Sequence, residues 1–192
     1  MMAKDTIGRA MRDHQESFEQ TFQGQAETLS RFACQVAEIF QRGGKLLLAG
    51  NGPLGAVANL NATLFSHRLT LERPPLPAVS LCHDVTLATA LSSAGQSRDF
   101  FSRQLRVVAR EGDGVLLLSD GRRDETLAEA ATAARQIGCL TAALNRGDTG
   151  LTAEGFDFFF SLTGESTARA AEHALFFAHL LVELVEGELF GI

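Results

Sequence analysis

Two short loops hold the residue types from which a site could be assembled. The first is Ala49-Gly50-Asn51-Gly52-Pro53-Leu54-Gly55. Its glycines permit backbone angles closed to other residues and let amide N–H groups converge on an anion. Pro53 suits the first position of a helix, where its missing N–H is no loss. The second is Leu118-Ser119-Asp120-Gly121-Arg122-Arg123. Here Ser119 offers a hydroxyl to a phosphate oxygen, and Arg122 and Arg123 offer positive charge. Each loop also has a plainer reading. The first is then a tight turn, and the second an N-capping turn with Ser119 or Asp120 as cap and the arginines solvated.

The loops matter only if the surrounding elements bring them to one end of a sheet. Short, continuous apolar runs occur at 45–49, 78–81, 115–118, 139–144 and 156–162, and they read as strands. Helical patterns follow at 54–67, 84–94, 99–109, 124–137 and 167–189. Strands alternating with helices predict a parallel sheet covered on both faces, since right-handed crossovers place helices there. In such sheets ligands bind beyond the carboxyl ends of the strands, and both loops directly follow a strand run. Before the first strand, Phe18, Phe22, Leu29, Phe32, Val36, Ile39 and Phe40 recur at helical steps, closed by Gly43-Gly44. The expected division is a helical arm over 1–43, with a partner surface for oligomerisation, and one α/β domain over 44–192.

Composition narrows the function classes. The chain has 192 residues, 45% apolar, with 17 Lys and Arg against 23 Asp and Glu. Disorder is excluded, because this apolar content repays the ordering entropy by burial. A net charge of −6 argues against direct binding of nucleic acid through bulk charge. No run approaches the roughly 20 apolar residues of a membrane helix, and the polar start does not read as a signal peptide. No membrane association and a cytoplasmic location are therefore expected. Cys34, Cys82 and Cys139 are widely spaced and read as reduced, packed thiols.

Five segments, in order, resemble the SIS (sugar isomerase) domain family. They are Leu48-Ala49-Gly50-Asn51-Gly52, the stretch from Glu72 through Pro77 to Leu81, Phe101–Arg106, Glu111–Leu117 and Thr167-Ala168-Arg169. The chain is most similar to phosphoheptose isomerases and to the DnaA-initiator-associating proteins. That resemblance implies a three-layer αβα fold with a five-stranded parallel sheet, flavodoxin-like, in a homotetramer with sites between subunits; a homodimer is the smaller assembly. It implies a sugar phosphate, or another carbohydrate derivative, bound by Gly50, Asn51, Gly52, Ser119, Asp120, Gly121, Arg122 and Arg123. By the DnaA-associating branch it also implies a replication initiator, or another protein, as partner.

The chain departs from the family's pattern where chemistry occurs. The family's first loop reads Gly-Asn-Gly-Gly-Ser, whereas Pro53 and Leu54 hold the last two places here. Its second loop supplies several hydroxyls, of which Ser119 alone remains. Asp120 puts a carboxylate where a dianion docks, and at about 4 Å two unit charges repel by roughly 4 kcal/mol at an effective dielectric near 20. In phosphoheptose isomerases a His and a Glu four residues apart on one helix face belong to a zinc site, completed by a Gln and a His on the last helix. The matching positions are Leu60, Leu64, Ala171 and His179, so His179 is the only ligand position kept and no cofactor is expected. Asp84 matches a loop aspartate of the family and equally suits a helix cap; with His179 it is the residual catalytic candidate. The expectation is a non-catalytic, homo-oligomeric binder of a phosphorylated carbohydrate or a protein scaffold. The alternative is an active phosphoheptose isomerase with a rearranged site.

Overall fold

The apolar runs become strands because the sheet buries them, wholly over Leu46–Gly50 and Gly114–Ser119 and on alternate residues at the edges. The computed structural model describes residues 3–164 and 166–191. In chain order it contains α1 (Ala3–Phe22), α2 (Ala26–Gln41), β1 (Leu46–Gly50), α3 (Pro53–Ser66), β2 (Ala78–Ser80), α4 (Val85–Ser93), α5 (Phe100–Val108), β3 (Gly114–Ser119), α6 (Glu125–Ile137), β4 (Leu140–Arg146), β5 (Phe158–Leu162) and α7 (Thr167–Phe190). The strands form one parallel sheet in the order β2-β1-β3-β4-β5. All residues of β1 and β3, two of its three interior strands, are buried. The αβα architecture with a five-stranded parallel sheet is the one expected from sequence.

The two-residue period of the strands sorts their side chains into two layers. Leu46, Leu48, Leu116, Leu118, Ala142 and Leu144 face α2, α3 and α7. Leu47, Ala49, Val115 and Leu117 face α5 and α6. The apolar stripe of α2, from Leu29 to Phe40, is itself part of the first layer. The N-terminal helical stretch is thus two helices, of which α2 lies in the core and α1 lies across α7.

Polar contacts fasten α1. His173 of α7 is fully buried, with Nε2 3.3 Å from Ser17 Oγ and Nδ1 3.2 Å from Thr21 Oγ1. The Thr163 hydroxyl donates to the Ser17 carbonyl at 2.6 Å, and His14 Nδ1 lies 2.6 Å from a Glu172 oxygen. Phe18 and Phe22 pack edge-on to Phe176. Just beyond α1, Gln25 Oε1 accepts from Ser161 N–H at 2.8 Å while its Nε2 donates to the Ser161 carbonyl at 3.0 Å. The open edge of β5 is thereby paired by a side chain instead of another strand.

Burial, reinforced by the charge of His14 and Arg169 and opposed by Glu172, holds His173 below its ordinary value of 6.5. The folded protein therefore binds fewer protons than the unfolded chain just below pH 6.5. The stability that comes from keeping His173 neutral is present above 6.5 and is lost as the pH falls through the lower folded value. Thermal melts from pH 7.5 to 5.5 should show this decline. His173→Gln, which retains hydrogen bonding without a proton to gain, should flatten it; an unchanged slope would assign the decline to other groups.

A second buried polar cluster ties α3 to α7. Arg73, in the Pro-rich connection, is almost fully buried, and its Nε donates to Glu186 Oε1 at 2.7 Å. Its Nη1 donates to the Phe65 carbonyl at 2.7 Å and its Nη2 to that of Leu64 at 2.9 Å. One guanidinium satisfies carbonyls that the end of α3 leaves open and neutralises a buried carboxylate on α7. Among the described residues, no helix is long and apolar enough to cross a membrane.

Candidate functional site

The sheet brings the two loops together, since β1 and β3 are neighbours and end side by side, with Gly50 opposite Leu118. The turn out of β1 is tight enough that a Cβ on Gly50 would lie 2.6 Å from the Leu54 carbonyl oxygen, so no larger residue fits there. Pro53 opens α3, as expected from the sequence. Asn51 Oδ1 accepts from Asp120 N–H at 3.0 Å and locks the first loop to the second.

Beside the first loop lies a cleft of about 530 Å³. Gly50, Asn51 and Gly52 line one side, with Asn59 of α3 and Cys82. Phe100 and Phe101 form an apolar wall, and Asp124 and Thr126 at the start of α6 close the other side. Asn59 Oδ1 accepts from the Ser80 hydroxyl at 2.6 Å. With the carbonyl oxygens of both amides engaged, Asn51 and Asn59 keep Nδ2 as donors. Asp124 Oδ1 accepts from Thr126 N–H at 2.8 Å and from its hydroxyl at 2.6 Å, capping α6. Cys82 Sγ receives the Gly50 N–H at 3.3 Å, and burial pushes the thiol above its ordinary range, so it stays protonated.

The second loop turns its arginines away from the cleft. Gly121 takes a φ of 95°, open to glycine and strained for other residues, and this turns the following arginines outward. The Arg122 side chain is 80% exposed, Arg123 is exposed, and neither lines the cleft. Asp120 is instead tucked in at 2% exposure, with one oxygen accepting from Arg122 N–H at 3.1 Å. Its other oxygen lies 3.0 Å from where a Cβ on Gly52 would sit, so the carboxylate faces the first loop. Ser119 is fully buried, and its hydroxyl has no hydrogen-bond partner among the described residues. Asp84 caps α4, accepting from Leu87 N–H at 2.8 Å.

The zinc set of the resembled isomerases does not fit this chain. Leu54 is fully buried in the core, Leu60 is exposed on α3, and Leu64 and Ala171 pack against the core layer. His179 is half-buried on α7. Among the described residues no three His, Cys, Asp or Glu side chains come together to hold a metal. Nor do these leucines plug the cleft, which stands open beside them. Sequence reasoning missed Asp124, Thr126, Asn59, Cys82 and the two phenylalanines. Asp124 carried a usable signal, as a capping residue between a strand run and a helix at the end of the sheet where ligands bind.

A family model described as the SIS domain matches residues 11–145. The phosphoheptose isomerase of Trichlorobacter lovleyi is 32% identical over 186 residues, covering 97% of this chain and 95% of that protein. That of a Roseiflexus species is 35% identical over 170 residues, covering 88% and 86%. Among solved structures, phosphoheptose isomerases from Francisella tularensis and Neisseria gonorrhoeae superpose with TM-scores of 0.89 and 0.88. The first covers 96% of this chain and 98% of its own at 23% identity, the second 97% and 100% at 22%. These two likenesses show the fold. The relatives in sequence overturn the expectation of a non-catalytic binder or scaffold: at this identity and coverage they are phosphoheptose isomerases, and they favour the alternative, an isomerase with a rearranged site.

Proposed function

The chain belongs to the SIS domain family, and we propose that it is an aldose–ketose isomerase acting on a sugar phosphate of the phosphoheptose type. One observation supports this most. An open cleft of about 530 Å³ at the carboxyl end of the sheet carries a carboxylate, two amide donors and an aromatic wall, in a chain that matches phosphoheptose isomerases almost end to end.

Isomerisation moves a proton between two adjacent carbons through an ene-diol, with a second proton exchanged between their oxygens. A base is needed at the carbon and donors are needed at the oxygens. Asp124 is the carboxylate that lines the cleft, and its capping bonds hold it in place. It takes the proton from one carbon and returns it to the next. The Asn51 and Asn59 amides donate to the oxygens as negative charge develops on them. Phe100 and Phe101 contact the C–H faces of the sugar and exclude water. The phosphoryl end seats at the Gly50–Gly52 loop, near Ser119 and Gly121. Zinc has no place in this scheme, because three of the four ligand positions are hydrocarbon. Self-association supplies the remaining walls.

Conversion of sedoheptulose 7-phosphate, followed by proton exchange with solvent deuterium, tests the proposal. Turnover is expected, and it should persist after treatment with a strong chelator, since no protein ligand set is lost. Absence of both turnover and exchange would overturn the isomerase reading. Loss of activity on chelation, restored by zinc, would overturn the assignment of the chemistry to Asp124 and the amides.

A further inference from the structure

Asp120 changes what the phosphoryl end of the site can accept. We propose that this chain binds its substrate's phosphoryl group as the proton-bearing monoanion, with the phosphate hydroxyl donating to Asp120; this rests on the sugar-phosphate reading above. The carboxylate is almost wholly buried and faces the Gly52 backbone, so it is a fixed acceptor at the loop where the phosphoryl end seats. Its compensation is thin. One oxygen accepts a single backbone N–H, from Arg122. The Arg122 guanidinium stands 3.8 Å from the other on a side chain that is 80% exposed, where solvent screens it. Arg146 approaches from β4, but its Nη1 donates to the Asp120 backbone carbonyl at 3.2 Å. The first loop contributes only uncharged groups, Asn51 and Gly52.

A phosphate dianion has no proton to offer this acceptor and adds repulsion at short range. A monoanion carries one O–H, and an O–H···O⁻ bond is among the stronger hydrogen bonds. Phosphate esters lose their second proton near pH 6, so each ligand bound above that pH takes up one proton. Linkage then weakens binding by a factor that approaches about tenfold per pH unit, or roughly 25-fold between pH 6.5 and 8.

Calorimetric titration of the full-length protein with sedoheptulose 7-phosphate and with inorganic phosphate, at pH 6.5 and 8, tests this. Wild type should show the loss of affinity with rising pH. Asp120→Asn, which keeps an oxygen for the Arg122 N–H, and Asp120→Ser should bind at least tenfold more tightly than wild type at pH 8, with the slope abolished or reversed. Melting curves establish that both variants are folded, and either one suffices. Wild-type affinity that is level or rises with pH overturns the proposal while leaving the sugar-phosphate reading in place. So does a folded variant that binds no more tightly at pH 8. If no protein binds either ligand at either pH, both readings fall.

Discussion

Replacing Arg73 with methionine is expected to destabilise the protein by about 3–5 kcal/mol, because Glu186 would be left as an uncompensated buried charge. Both side chains are 1% exposed, so water cannot take over from the lost guanidinium. The same change strips donors from the Leu64 and Phe65 carbonyls at the end of α3. For a chain of this size a loss of that order lowers the melting temperature by roughly 6–20 °C. The charge argument predicts more than a loss. In an Arg73→Met, Glu186→Leu double variant the buried anion is gone as well, and most of the stability should return, since a buried pair replaced by packed apolar groups is often neutral. Denaturant unfolding of the two variants decides the point. A double variant as weak as the single one would place the effect in the α3 carbonyls and not in the ion pair.

Arg73 and Glu186 also show where the sequence stops being readable. They lie 113 residues apart, and neither has a neighbour in sequence that announces the other. The same is true of His173 with Ser17 and Thr21, whose meeting depends on α1 folding back along α7. What can be read along the chain is what local periodicity writes there. The apolar run 115–118 is a strand that extends one residue further at each end, to Gly114 and Ser119, and helices cover both of its faces. The stripe from Leu29 to Phe40 reads as a helix face for the same reason. The site was half legible. Gly50, Asn51 and Gly52 line the cleft because a tight strand-to-helix turn at a sheet's carboxyl end is a local feature. Arg122 and Arg123 offer charge to a phosphate, with solvation as the plainer reading of their turn, and both are exposed and away from the cleft. Leu60, Leu64 and Ala171, standing where the family has ligands, point to a silent protein. It is the similarity to phosphoheptose isomerases that overturns this, and the cleft's own carboxylate, Asp124, comes from another element, the start of α6.

That carboxylate bears the largest functional prediction. Asp124→Asn should lower the isomerase kcat by about 10²–10⁴-fold, the usual contribution of a positioned general base. This corresponds to roughly 3–5 kcal/mol on the barrier. The substitution is informative because Asp124 has two separable duties. Its Oδ1 caps α6 through Thr126, and asparagine caps a helix about as well as aspartate does. Melting temperature and KM should therefore change little while kcat collapses. Asp124→Ala, by contrast, should lose the cap as well, at about 0.5–2 kcal/mol of stability. If the asparagine variant keeps kcat within threefold of wild type, the proton is moved by another group. If both variants lose stability equally and activity only in proportion, Asp124 is a cap and nothing more. The two substitutions thus separate the helix-capping role that the geometry displays from the catalytic role that its place in the cleft assigns.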